Sequence, residues 1–305
     1  MAKVFRILSL LIGIALWQSA AAQIAVTDDT GQLVKLSAPA QRIVSLAPHV
    51  TELLFATGAG SKIVGVMEGS DYPPEARRIP RVGGPSAIDL EMLVALQPDL
   101  VVGWASGNPP AQIAKLRALG LTVFLSEPRT LEDIPQSLLR LGQLTGKRAP
   151  AQAAAQRFRD RLAKLPAARE GTPPVRTFYQ IWQSPLMTLS DKHIISDVLR
   201  RCGAENVFGA EAALTPAVSM EAALATNPEL LVASRTTRPD EPDWIAPWLS
   251  WRYVSAVARR NFCDVTADWM SRAGPRLIDG AEELCACVAA ARQKRPAAAP
   301  PAPRR

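Results

Sequence analysis

Two glutamates occupy equivalent positions in a repeated motif. Asp89-Leu-Glu-Met-Leu-Val-Ala-Leu-Gln-Pro-Asp-Leu-Val-Val102 aligns without a gap against Ser219-Met-Glu-Ala-Ala-Leu-Ala-Thr-Asn-Pro-Glu-Leu-Leu-Val232, which makes Glu91 and Glu221 counterparts. A carboxylate in a first helical turn offsets the helix macrodipole, and that explains each residue singly. It does not explain why both halves share the feature. Two exposed, matched carboxylates would set the orientation and association rate of one dimeric partner through charge-assisted pairs. Tyr72 and Trp104 each follow a predicted strand, at the edge where open α/β sheets hold ligands, and offer flat faces for stacking. Trp104 stands beside Ser106-Gly107-Asn108-Pro109-Pro110, which suits a cleft better than a core; Tyr72 precedes two prolines and would pack on their rings equally well. Asp268 and Arg272, four apart, read either as a capping and pairing set or as hydrogen-bonding groups for a ligand's polar fringe. His49 and Glu52, three apart at a helix start, lack a third metal ligand, so His49 reads as a cleft or capping residue. His193, after Ser190-Asp191-Lys192, reads as an exposed helix-start residue. Gly103-Trp-Ala-Ser-Gly107 departs from the Gly-x-Ser-x-Gly elbow, and no phosphate-cradling loop is evident. The expectation is a binding protein rather than an enzyme.

The elements that must position these residues follow from periodicity. Each copy of the motif reads as a polar N-cap, an apolar helical run, a proline stop and a short buried strand. Residues 24–36 alternate around an Asp-Thr-Gly turn, a hairpin signal. Strands near 42–46, 62–66, 100–103 and 122–125 alternate with helices from about Pro48, Asp89 and Pro110, the pattern of a parallel sheet with right-handed crossovers. A second such series begins at Val175. Between the two, an alanine-rich stretch from Lys147 to about Leu165 carries Ala151, Ala154, Ala155, Phe158, Leu162 and Leu165 on one helical face. The fold class expected is therefore α/β: two Rossmann-like lobes with mainly parallel sheets, joined by one long rigid helix that keeps the hinge amplitude small. The divisions are a signal peptide at 1–22, an N-terminal lobe at 23–143, a bridging helix at 144–170, a C-terminal lobe at 171–293 and a disordered tail at 294–305.

The ends account for the charge. Lys3 and Arg6 precede an apolar run too short to span a bilayer, and Ala20-Ala21-Ala22 suits cleavage, so an exported protein is expected. Of the formal surplus of +7, the leader holds two charges and Lys294, Arg295, Arg304 and Arg305 hold four, leaving a nearly neutral body with no basic stripe for nucleic acid. Cys202, Cys263, Cys285 and Cys287 all lie in the second half; in an oxidising compartment disulfides are favoured over a metal site, with three connectivities open.

Arg42-Ile-Val-Ser-Leu-Ala-Pro-His-Val-Thr-Glu-Leu-Leu-Phe55, Ser70-Asp-Tyr-Pro-Pro74, the Asp89 motif and the bridging helix together resemble the helical-backbone class of periplasmic binding proteins. Gly103-Trp104 with Gly107-Asn108, Cys202-Gly-Ala-Glu-Asn-Val-Phe208 and Thr266-Ala-Asp-Trp-Met-Ser-Arg-Ala-Gly-Pro-Arg276 are most similar to its cobalamin-binding members. The resemblance runs from about residue 40 to 290. It implies a periplasmic carrier, with no cofactor of its own, that captures cobalamin or a related corrinoid and delivers it to an ABC-type importer. Tyr72, Trp104, Asp268 and Arg272 fall on ligand-contacting positions, Glu91 and Glu221 on the carboxylates that dock to an inner-membrane permease dimer, and Cys202 and Cys285 on a disulfide pair. The chain departs from the pattern at Pro85 or Ser86 and at Thr215, where relatives carry tryptophans; Trp182 is taken to restore aromatic surface to the site. A monomer is expected. The alternatives are a haem or ferric-siderophore carrier of the same fold, and, from another class, a two-lobed envelope metal chaperone or enzyme.

Overall fold

The computed structural model describes residues 23–84, 86–166, 171–236 and 243–296, so the expected leader lies outside the described residues. The first lobe comprises β1 (Ile24–Thr27), β2 (Leu33–Leu36), β3 (Ile43–Ser45), α1 (Pro48–Ala56), β4 (Ile63–Val66), β5 (Gly83–Gly84), β6 (Ala87–Ile88), α2 (Leu90–Ala95), β7 (Leu100–Trp104), α3 (Pro110–Ala118), β8 (Val123–Ser126) and α4 (Asp133–Leu144). A spine helix, α5 (Arg148–Lys164), leads to β9 (Val175–Gln180), α6 (Ile194–Arg201), β10 (Ala204–Asn206), α7 (Met220–Ala225), β11 (Leu230–Arg235), α8 (Ser255–Ala258), β12 (Phe262–Thr266), α9 (Ala267–Met270) and α10 (Leu277–Gln293).

Each lobe is built on a four-stranded parallel sheet, and the two strand orders are the same: β4-β3-β7-β8 and β10-β9-β11-β12. The third strand of each sheet opens on a buried apolar run, Leu100–Val102 in β7 and Leu230–Ala233 in β11, because helices cover both faces. The register extends the internal repeat beyond the motif read from sequence. Ile43 pairs with Leu100 as Thr177 pairs with Leu230, so Arg42 and Arg176 are also counterparts. Each donates its backbone N–H to the carboxylate after the motif proline, Arg42 to Asp99 at 3.0 Å and Arg176 to Glu229 at 3.2 Å. Helices α2 and α7 are each closed by a left-handed residue, Gln97 and Asn227, both at φ 45°. The following prolines cannot continue either helix.

The spine is stiff because it is packed along one side. α5 lies against α4, and Gly142 permits the close approach: a Cβ there would overlap that of Ala151. One apolar cluster runs from the first lobe through Ala155, Phe158 and Leu162 of α5 into the second, while separate clusters fill the far face of each sheet. The lobes thus share a seam along the spine but keep separate sheets. The helix is shorter than the expected span of 144–170. Gly146 at φ 69° turns the chain between α4 and α5, and Leu165 goes extended before Pro166, as a residue preceding proline must; 167–170 lie outside the described residues.

The expected tail also starts too early. Arg295 makes a bidentate ion pair with Glu229 and donates to the carbonyls of Pro173 and Pro174, and Lys294 donates to those of Arg259 and Arg260. Two of the charges assigned to the tail therefore belong to the folded body; residues 297–305 lie outside the described ones. The cysteines pair as Cys202–Cys285 and Cys263–Cys287. Residues two apart on a helix point to different sides, so α10 is bonded through Cys285 to the end of α6 and through Cys287 to β12. This fastens the helix whose N-terminal approach carries the arginines of the site.

Candidate functional site

In a sheet of this strand order the crevice beyond the C-terminal ends of the first and third strands is the ligand-binding position. In the first lobe that crevice lies between β3 and β7, and it is where Trp104 ends β7. Asn108, buried, ties the two strand ends together: its Oδ1 accepts the Trp104 N–H at 2.7 Å and its Nδ2 donates to the Leu46 carbonyl at 2.9 Å. Residue 107 is glycine because the Trp104 indole occupies the space a Cβ would fill. His49, the second residue of α1, meets the half-buried indole edge-on, with centroids 5.4 Å apart. With His193, Glu127, Lys192 and Met270, His49 and Trp104 line a hollow between the lobes.

Both histidines are neutral at pH 7. His49 is 3% exposed with an unpartnered Nε2; burial, then the charge of Arg272, pushes its pKa down to about 4. The N-terminus of α1 disfavours the cation further. His193 was expected to be an exposed helix-start residue; it caps α6 instead, its Nδ1 accepting the Ile195 N–H at 3.2 Å, and burial lowers its pKa to about 4. These depressed values make stability pH-dependent. Unfolded chains bind these protons near pH 6.5 and the folded protein near pH 4, so stability is complete above 6.5 and is lost as pH falls through the interval. For His49 the loss reaches on the order of 3 kcal/mol below pH 4. Urea unfolding of wild type and His49→Asn at pH 7.5 and 4.5 should show a smaller acid loss in the variant; parallel curves would discount the histidine.

Beside this hollow the lobes are joined by an ionic cluster. Glu52, on α1 and 1% exposed at its side chain, accepts from Arg272 Nη1 at 3.0 Å and from Arg276 Nε and Nη2 at 2.9 and 2.6 Å. Arg272 also donates to Asp71 at 2.7 Å and to Asp268 at 3.1 Å. Asp268 and Arg272 are thus a local pair, as spacing allowed, but Arg272 is chiefly an inter-lobe group. Burial works to raise the Asp71 carboxyl, yet the hydrogen bond and charge of Arg272 outweigh it and hold it below the usual carboxylate range. Arg276 stacks its guanidinium 3.9 Å above the Tyr72 ring centroid, a cation–π contact. The spacing of His49 and Glu52 sends one side chain to Trp104 and the other to the arginines, so they share no ligand. Among the described residues no group of three or more His, Cys, Asp or Glu is arranged to hold a metal.

The three aromatic residues expected to wall one site line three hollows. Trp104 lines the inter-lobe one; Tyr72, 43% exposed, lines another on the opposite flank of the ionic cluster, with Arg276 and Phe55; Trp182, 62% exposed, lines a third within the second lobe. Glu91 and Glu221 are both exposed, one on each lobe. The helices they start are capped by other residues, Asp89 accepting the Met92 N–H at 2.9 Å and Ser219 the Ala222 N–H at 3.1 Å. Hydrogen bonds from its own backbone and from Ser219 hold the Glu221 carboxyl below its ordinary pKa.

Two lobes of one topology on a packed helical spine, with hollows where they meet, define a class of two-lobed carriers that enclose a ligand at the lobe interface. The chain belongs to the periplasmic binding protein family, whose sequence profile matches residues 43–268. It is 37% identical over 264 residues to the vitamin B12-binding protein of Vibrio parahaemolyticus, covering 86% of this chain and 94% of that one. The crystal structure of the periplasmic vitamin B12 binding protein of Vibrio cholerae superposes with a TM-score of 0.76 at 36% identity, covering 84% of this chain and 99% of that one. A periplasmic haem-binding protein from Pseudomonas aeruginosa superposes at 0.66 with 29% identity, covering 82% and 92%.

Proposed function

We propose that this protein is an exported periplasmic carrier that captures cobalamin or a related corrinoid between its lobes and delivers it, unaltered, to an ABC-type importer. Trp104 carries the reading: its backbone is held by Asn108 and its indole packs over Gly107 at the switch point of the first sheet, open to the inter-lobe hollow. A corrinoid is a broad plate with apolar faces and an amide fringe, and it needs flat aromatic surface with a few polar groups at the margin. Arg272 and Asp268 supply such groups beside that hollow, while Tyr72, in the separate hollow across the ionic cluster, is assigned to the outer margin of the same ligand. The likeness to two vitamin B12-binding proteins over more than four-fifths of the chain favours this ligand. Glu91 and Glu221, one per lobe, are assigned to docking on a permease dimer, with the carrier as a monomer.

Haem is the second reading, favoured by the unpartnered His49 Nε2 beside Trp104 and by the haem-binding relative. Titration calorimetry with cyanocobalamin and with haemin separates the two. Corrinoid binding with no haem binding is the expected result; a Soret band surviving desalting would reverse it. Trp104→Ala should weaken cobalamin binding by about 1–3 kcal/mol, the range for loss of a stacking aromatic. Unchanged affinity would remove Trp104 from the site.

A further inference from the structure

The crossover between the third and fourth strands is unequal in the two lobes. It takes residues 105–109 from β7 to α3, but 236–254 from β11 to α8. The longer loop is fixed from within. Trp248 is buried against Phe178, with ring centroids 5.2 Å apart, and its indole N–H donates to Gln180 Oε1 at 3.2 Å. The Trp251 N–H donates to the Trp248 carbonyl and the Val254 N–H to that of Trp251, both at 3.0 Å, and Val254 is buried. Outward, the same turns present Leu249, Trp251 and Tyr253, which are 50%, 38% and 65% exposed. Trp251 and Tyr253 stand edge to face, with centroids 6.1 Å apart. Single exposed apolar residues are ordinary on a protein surface; three large ones so close together form a patch.

Charge and shape select what the patch fits. Arg252 lies between the two aromatics in the chain, and Arg260 follows α8, whose single turn spans about 6 Å. Lys294 donates to the carbonyls of Arg259 and Arg260; Arg252, Arg260 and Lys294 are all exposed. Glu229, the nearby carboxylate, is already matched by Arg259 at 3.4 Å and Arg295 at 2.6 Å, so this end of the lobe keeps a positive surplus. Residues 297–305, outside the described ones, continue from the same end and carry Arg304 and Arg305. Neither aromatic lines the hollows described above, whereas a peptide motif needs a groove or a free strand edge. Tryptophan and tyrosine among arginine and lysine suit a lipid headgroup boundary, with rings in the interface and cations on acidic headgroups. We propose that this end of the second lobe is a peripheral contact for an anionic lipid surface. Helix α7, which carries Glu221 in its first turn, ends beside it: Asn227 Oδ1 accepts the Ser255 N–H at 2.8 Å. The contact thus lies one short helix from the carboxylate assigned to permease docking. A carrier held there searches for its permease along the membrane. The proposal goes beyond the carrier reading and holds whichever ligand the cleft takes.

Sedimentation with sucrose-loaded vesicles tests this, using residues 23–305 so that the apolar leader cannot itself insert. The protein should bind vesicles of phosphatidylethanolamine with phosphatidylglycerol, lose that binding as salt rises, and ignore phosphatidylcholine. Trp251→Ala with Tyr253→Ser, and separately Arg252→Gln with Arg260→Gln, should each weaken binding about tenfold or more. Removing 297–305 should weaken it about fivefold and leave the rest. Melting by circular dichroism and cyanocobalamin affinity by calorimetry should match wild type in every variant. Should Trp251→Ala disturb folding, Tyr253→Ser alone, at the more exposed position, should still lose about threefold. No binding to the anionic vesicles, equal binding to neutral ones, or binding carried by 297–305 alone would overturn the contact. So would a dimer that the aromatic substitutions dissolve, which would make the patch an interface between copies. A protein that bound these vesicles but not cobalamin would lose the corrinoid reading and keep this one.

Discussion

Exchanging Glu52 for glutamine is expected to lower the unfolding free energy by about 3 kcal/mol and to weaken corrinoid binding at least about tenfold. The carboxylate takes three N–H groups from two arginines of the other lobe, and its own side chain is 1% exposed. An amide keeps one acceptor oxygen but turns an NH2 group toward guanidinium donors, so at least one bond becomes a donor–donor contact. Arg272 would then depend on Asp71 and Asp268, and Arg276 would lose its bidentate partner. Removing one member of a buried ion pair typically costs 3–5 kcal/mol because the other charge stays buried. The arginine side chains are 11% and 16% exposed, and the water that reaches them places the expectation at the lower end. The binding loss has a different origin. Glu52 anchors the approach to α10 against α1, fixing both the aperture between the lobes and the guanidinium that lies on Tyr72. Adding Arg276→Gln to Glu52→Gln should restore part of the stability by removing one unpaired charge, a non-additivity that a double-mutant cycle reads directly. Urea unfolding gives the first number and calorimetry with cyanocobalamin the second. A Glu52→Gln protein indistinguishable from wild type in both would mean that the cluster is solvated and incidental.

What the sequence made legible were local and repeated features. The gapless match of the Asp89 and Ser219 motifs anticipated two sheets of one topology, and alanine periodicity anticipated the spine. The repeat goes further, but Arg42 and Arg176 stand 57 and 53 residues ahead of Asp99 and Glu229, so no gapless match reaches them and only strand register shows that they play the same part. The inter-lobe cluster was not legible. Glu52 and Arg272 are separated by 220 residues, and no spacing rule links them; within reach of such rules Arg272 had only Asp268. The same limit applies to the aromatics. The predicted strand put Trp104 at the end of β7, whereas Tyr72 and Trp182 lie beyond the ends of β4 and β9, and strand ends alone do not say which crevice a side chain enters. His193 was misjudged for a related reason: its polar neighbours suggested exposure, whereas the capping hydrogen bond and the packing of α6 cover it.

The double substitution Glu91→Ala, Glu221→Ala is expected to spare cobalamin binding and abolish uptake. Neither residue lines the hollows described above, and Asp89 and Ser219 already cap the helices, so the melting temperature should stay at the wild-type value. Exposed ion pairs are individually weak, and each single variant should retain partial transport. The pair has leverage because the two carboxylates lie at equivalent points of two lobes held by a rigid spine, a spacing that one symmetric permease can meet only in a single orientation. Loss of both would remove the orienting field and slow productive encounter more than it shortens residence. Transport into proteoliposomes carrying the permease, measured across a range of ionic strength, tests this. Wild-type rates should fall with added salt toward those of the double variant, because screening acts on the same long-range attraction that the substitutions delete. A double variant that transports normally at low salt would reduce both glutamates to helix-start residues that happen to match.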